Sequence, residues 1–164
     1  MPLFGKREPR TVGAKVRSGA RALRGKRYEE AIALLGQALQ EQPENQRALL
    51  NLGLAYHYTG QHSKAIEQFE ALIELAPGDT RTYVNLAAAE NSLGHLDKAE
   101  ASLRRALAIS PDQRGVHYNL AVICLKRNEL ANAMAEMEME LAVNPGHRET
   151  QIALKALRER LLPR

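Results

Sequence analysis

At 164 residues, 45% apolar, with a net charge of +4, the chain suits one domain or one short repeat array and can build a buried core. Its single cysteine, Cys124, excludes an intramolecular disulfide framework and a Cys-rich metal site. No apolar run approaches the roughly 20 residues that a membrane span needs.

Residues 1–11 read as a basic arm, expected to be disordered. The arm lacks the apolar stretch of about 7–15 residues that marks a signal peptide, so the expected compartment is the cytosol. From residue 1 to residue 27 there are nine basic side chains and one acid, a charge of +8, which leaves −4 for residues 28–164. Three readings of the arm stay open. It is a solvated extension, a contact for an anionic membrane surface or acidic partner, or a nucleic-acid contact through phosphates alone. Leu3-Phe4 beside Lys6-Arg7 would give only a weak membrane contact, and nothing resembles a base-reading motif, so nucleic acid is the least favoured partner.

From Thr11 to Arg24, Val12, Val16, Gly19 and Leu23 fall on one helical stripe, with Arg17, Arg21 and Arg24 opposite. The turn through Gly25, Lys26 and Arg27 reads one residue longer than its later counterparts. Tyr28, Ala31, Ile32, Leu35, Ala38 and Leu39 then mark a second helix, ended before Pro43. In the next stretch Leu49, Leu52, Gly53 and Tyr56 share a face. Thr59-Gly60-Gln61 breaks that helix, and Ala65, Ile66, Phe69, Leu72, Ile73 and Leu75 begin another. Ala76-Pro77-Gly78 ends it, because proline cannot continue a helix, and Asp79 is placed as an N-cap for the next.

The pattern then repeats. Pro43, Pro77, Pro111 and Pro145 stand at one constant step, and Ala31, Ala65, Ala99 and Ala133 keep the same step. So do Asn51, Asn85 and Asn119, and likewise Leu52, Leu86 and Leu120. Gly60 and Gly94 are followed in turn by Asn128, which tolerates the left-handed backbone that glycine supplies after a helix. After His147 a last helix carries Ile152, Ala156, Leu157 and Leu161 at helical spacing, a solvating cap. No such helix buries its stripe alone, so the hairpins must stack.

A helix–turn–helix unit of about 34 residues, with Asn51-Leu52-Gly53, Tyr56, Gly60, Ala65, Phe69 and Pro77 in these places, resembles the tetratricopeptide repeat (TPR) family. The third unit carries Tyr83, Asn85-Leu86-Ala87, Gly94, Ala99, Leu103, Ala106 and Pro111. The fourth carries Tyr118-Asn119-Leu120-Ala121, Ala133, Met137 and Pro145. The expected fold is all-α: a right-handed α-solenoid of about four TPR-like hairpins over residues 12–45, 46–79, 80–113 and 114–147, with a capping helix and tail at 148–164.

The resemblance implies a protein-interaction scaffold whose first helices line a concave groove. By position that groove would receive Arg47, Leu50, Asn51, Leu54, His57 and Tyr58 from the second unit. The third would supply Arg81, Val84, Asn85, Ala88, Asn91 and Ser92, and the fourth Tyr118, Asn119, Val122, Leu125 and Lys126. In this family asparagine at the position of Asn51, Asn85 and Asn119 holds peptide backbone, and a carboxamide has both donor and acceptor for a peptide unit. The alternative is that these asparagines bond to the neighbouring helix. Arg47, Arg81 and Lys126 favour an acidic or neutral ligand over a basic one. Val16, Ala20, Leu50 and Gly115 fall where a dicarboxylate clamp for chaperone tails would need other residues. Self-association through the irregular first unit is a further expectation.

No catalytic, nucleotide-binding, cofactor or metal motif is present, so an enzyme is not expected. The histidines read as structural or surface residues, and Cys124 as a buried thiol in the slot of Tyr56. Met134, Met137 and Met139 read as core filler with one surface methionine, and Glu136, Glu138 and Glu140 as mostly a solvated face. Two slots are awkward. Glu90 replaces Tyr56, and is expected to snorkel or face a widened groove. Glu140 replaces Ala38 and Ala106, and is expected to reach Lys155 or Arg158.

Overall fold

A computed structural model describes residues 11–161, and among them there are nine helices and no strand. The basic arm assigned to residues 1–11 therefore lies almost wholly outside the described residues. Two compact units divide at Pro77 and Gly78. The first holds α1 (Val12–Arg24), α2 (Tyr28–Glu41), α3 (Gln46–Tyr58) and α4 (His62–Leu75). The second holds α5 (Thr80–Ser92), α6 (Leu96–Ile109), α7 (Val116–Lys126), α8 (Leu130–Val143) and α9 (Arg148–Leu161). Within each unit the helices pair as antiparallel hairpins, and each hairpin packs on its sequence neighbour, the α-solenoid arrangement. No described helix is long and apolar enough to cross a membrane.

Helix pairs close on one another where side chains shrink. Position 19 and its counterpart 53 are glycine, facing Leu35 and Phe69. A Cβ on Gly53 would lie 2.5 Å from the Phe69 ring, and one on Gly19 2.6 Å from Leu35 Cγ. In the second unit the same slot is Ala87 and Ala121, both buried, as are Leu103 and Met137 at the positions matching Leu35 and Phe69. The apolar faces thus pack to contact along the repeat rather than by one shared centre.

The first helix of every hairpin ends in the same left-handed turn. Lys26, Gly60, Gly94 and Asn128 have φ of 56°, 75°, 77° and 60°. The next residue's N–H reaches back across the last helical turn, Arg27 to Ala22 O at 2.9 Å and Gln61 to Tyr56 O at 2.8 Å. The first turn is therefore not one residue longer, as its composition suggested. Lys26 occupies the slot of Gly60, and α2 and α4 start one full repeat apart. A lysine there costs about 1 kcal/mol relative to glycine, because its Cβ crowds the following carbonyl.

The starts of the first helices are less uniform. Thr11, Asn45 and Asp79, at matching repeat positions, accept from the N–H groups of Ala14, Ala48 and Arg81. The fourth position in this series is Gln113, whose longer side chain accepts instead from the Thr80 hydroxyl at 2.7 Å. Helix α7 begins two residues late, after Gly115 in a left-handed conformation, and has 11 residues where α5 has 13. Glu140 of α8 supplies the missing cap: both carboxylate oxygens lie 2.9 Å from the Gly115 N–H, and the Tyr118 N–H approaches at 3.4 Å. This corrects the expectation that Glu140 meets α9. Arg158 pairs with Glu138 instead, at 2.6 Å, and Lys155 lies 3.9 Å from Glu159. Glu140 is fully buried, and an unpaired helix start attracts a carboxylate more strongly than a distant cation does.

Glu90 is likewise buried, and accepts from the Ser102 hydroxyl at 2.9 Å rather than snorkelling or facing a widened groove. Glu136 is not part of a solvated face. It is buried between His117 Nδ1 at 2.7 Å and Arg104 at 3.1 Å. Of the three glutamates in the run only Glu138 is exposed.

Candidate functional site

In the first unit the end of α1, the turn after it and the inner part of α3 enclose a cleft of about 530 Å³. Asn51, Leu54 and Tyr58 line one wall, each a helical turn from the next. Leu23, Arg24, Lys26 and Tyr28 complete the lining. Tyr28 and Tyr58 stack with ring centroids 5.5 Å apart at 25°, leaving Tyr58 59% exposed. Asn51, Leu54 and Tyr58 were assigned to a groove by position, and the structure brings them together. Arg47 and Leu50 lie nearer the start of α3, the first exposed and the second half-buried. Leu23, Arg24, Lys26 and Tyr28 were not assigned, although Lys26 stands out in sequence as a lysine in a glycine slot.

His57 packs between Tyr58 and His62, with ring centroids 5.9 Å and 5.1 Å away. Burial and then the neighbouring His62 hold its imidazole below the usual histidine pKa, favouring the neutral ring. Lys64 lies over the Tyr56 ring at 5.4 Å.

Two of the three asparagines bond to their own helices rather than to a neighbouring one. Asn51 donates to Arg47 O at 2.7 Å, and Asn119 donates to Gly115 O at 2.7 Å, each one turn back. That bond uses one of two amide hydrogens. It fixes the orientation of the carboxamide and leaves over its Oδ1 and second hydrogen. Asn85, the third of the series, is half-buried on α5, beside half-buried Val84.

In the second unit Lys126 donates to Asn91 O and Oδ1, at 3.2 Å and 2.6 Å, joining α7 to the end of α5. Arg81 binds its own N-cap, Asp79, through Nε at 3.0 Å and Nη2 at 3.2 Å, so its charge is locally matched. Burial opposes the ionised Asp79, but the Arg81 bonds outweigh it and hold the carboxyl below its usual range. Tyr118 meets His147 edge-on at 5.0 Å, and Val122, one helical turn further along α7, is half-buried. Leu125 lines a smaller apolar notch of about 200 Å³ with Met137 and α9 residues.

Cys124 is half-buried. Burial first, then Glu129, Glu136 and Glu100, push its thiol up, away from the reactive thiolate. Among the described residues no three His, Cys, Asp or Glu side chains are placed to hold a metal.

Solved structures with this fold include one of a MamA protein, 22% identical, covering 90% of this chain and 81% of that one with a TM-score of 0.79. The thermophilic TPR protein TTC0263 of Thermus thermophilus is 23% identical, with coverage of 92% and 83% and a TM-score of 0.77. A chain of the APC/C hetero-tetramer Cut9–Hcn1 is 20% identical and covers 90% of this chain but 30% of its own length, with a TM-score of 0.81. No curated protein matches the chain in sequence. The tetratricopeptide repeat model matches residues 22–90 and 91–160, nearly the whole described length, and the chain belongs to the tetratricopeptide repeat family.

Proposed function

We propose that the protein is a non-enzymatic scaffold that holds an extended segment of a partner protein on the first helices of its hairpins. The observation that carries this reading is the matched pose of Asn51 and Asn119. An amide already fixed by its own helix loses little freedom when it meets a peptide unit, so the ligand bears most of the ordering cost. Leu50, Leu54, Val84, Val122, Tyr58 and Tyr118 would supply apolar contact beside those amides. Arg47 and Lys126, which pair with no carboxylate among the described residues, favour a neutral or acidic segment, whereas Arg81 is already matched by Asp79.

The test is a displayed library of random dodecapeptides selected on the full chain, followed by fluorescence anisotropy with the enriched sequences. Asn85→Ala with Asn119→Ala should weaken binding about tenfold, the loss of two hydrogen bonds of about 0.5–1.5 kcal/mol each. Helicity and melting temperature should stay within a few degrees of the parent. Equal affinity in the double variant would move the site elsewhere.

A further inference from the structure

The cleft beside α1 brings exposed cations and a stacked tyrosine pair into one lining. Arg24 and Lys26 are exposed in its lining, and among the described residues neither is ion-paired. Their neighbours Lys15 and Arg27 do have carboxylate partners, Glu41 and Glu30. The same lining holds the stacked Tyr28 and Tyr58 rings together with Leu23 and Leu54. Lys26 holds a φ of 56° where the matching positions are Gly60, Gly94 and Asn128. Packing does not explain that choice, since Lys26 is exposed and Gly60 makes the same turn without strain. A strained side chain at the rim of a cleft points to use of that side chain.

We propose that this cleft binds an acidic side chain of the partner segment between Arg24 and Lys26, with an adjacent aromatic or aliphatic side chain laid on the tyrosine pair. The site deepens the scaffold reading and rests on it. Its volume of about 530 Å³ takes two side chains and not a folded element. Arg24 presents a planar fork for a carboxylate and Lys26 a mobile point charge. The exposed Tyr58 offers a rigid amphipathic surface that loses little entropy on contact. Charge sets the choice of occupant. The chain's own residues 1–10 carry Lys6, Arg7 and Arg10 against Glu8 alone, so they lack the acidic character that this cleft selects.

The test uses the full chain and the peptides selected on it. Enriched sequences should carry Asp or Glu next to Phe, Tyr or Leu, and replacing that acid by its amide should weaken binding about three- to tenfold. Arg24→Gln and Lys26→Gly should each cost a similar factor, and neither should add to the amide replacement when combined with it. Lys26→Gly serves as its own folding control, because relief of the backbone strain should raise the melting temperature while affinity falls. Peptides that lose affinity in the asparagine double variant but bind Arg24→Gln and Lys26→Gly like the parent would overturn the cleft and leave the scaffold standing. A library that yields no binder at all would remove both.

Discussion

Glu140 is a helix cap delivered from another helix. Its carboxylate meets the Gly115 N–H at 2.9 Å through both oxygens and receives the Asn144 amide at 3.2 Å, all without exposure to solvent. Truncation leaves a helix start without its acceptor and a cavity beside it. Glu140→Ala should therefore cost about 2–4 kcal/mol in chemical denaturation. Restoring a short acceptor with Gln113→Asp in that background should return about 1 kcal/mol, the usual worth of a local cap. His57 gives a second residue-scale prediction. Its pKa in the folded chain lies below the ordinary 6.5, so the unfolded chain binds the proton more readily. The stabilisation is fully present above the unfolded value and drains away as pH falls through the folded one. Melting temperature should drop between about pH 7 and pH 5, and His57→Gln should shallow that drop. An unchanged slope would remove His57 as a contributor.

At the scale of elements, the helices were legible because their apolar stripes and breakers recur at a constant period, so each weak signal is repeated in phase. The asparagine series was legible for the same reason, though not the bonds that Asn51 and Asn119 make to their own helices. What escaped depends on contacts between elements. The cap on α7 comes from a residue 25 positions away, and no local pattern announces it. The first turn reads as longer because glycine marks the same turn in the second and third hairpins, whereas what the turn requires is a backbone conformation that Lys26 and Asn128 also adopt. The part of the cleft lining supplied by Leu23, Arg24, Lys26 and Tyr28 carries no repeat signal, because it belongs to the least regular repeat. Helix α9 illustrates an element whose place follows from burial. Leu154 is buried against Ala121 and Met137, and Leu154→Ala should cost about 2–4 kcal/mol by equilibrium unfolding.

At the scale of the molecule, contacts between consecutive hairpins within each unit make stability a local property. Native-state hydrogen exchange on Glu140→Ala should lose protection in α7, α8 and α9 well before α5 and α6. Uniform loss across the second unit would mean its hairpins open together. Residues 11–27 carry six cations and no acid, Arg24 and Lys26 of the cleft among them. Acidic peptides should thus bind progressively more weakly as sodium chloride rises from about 50 to 500 mM, whereas peptides with no acid should be indifferent.

The carboxylate at 140 and the backbone N–H at 115 fall inside a single repeat cassette. Transplanted into a different array, that hairpin would bring its own closure along, whatever precedes it. The other three depend on a donor-matched residue at the junction itself, so for them the splice point is part of the fold. Builders of chimeric arrays could place the fourth cassette behind almost any neighbour, and would have to choose the seam for the rest.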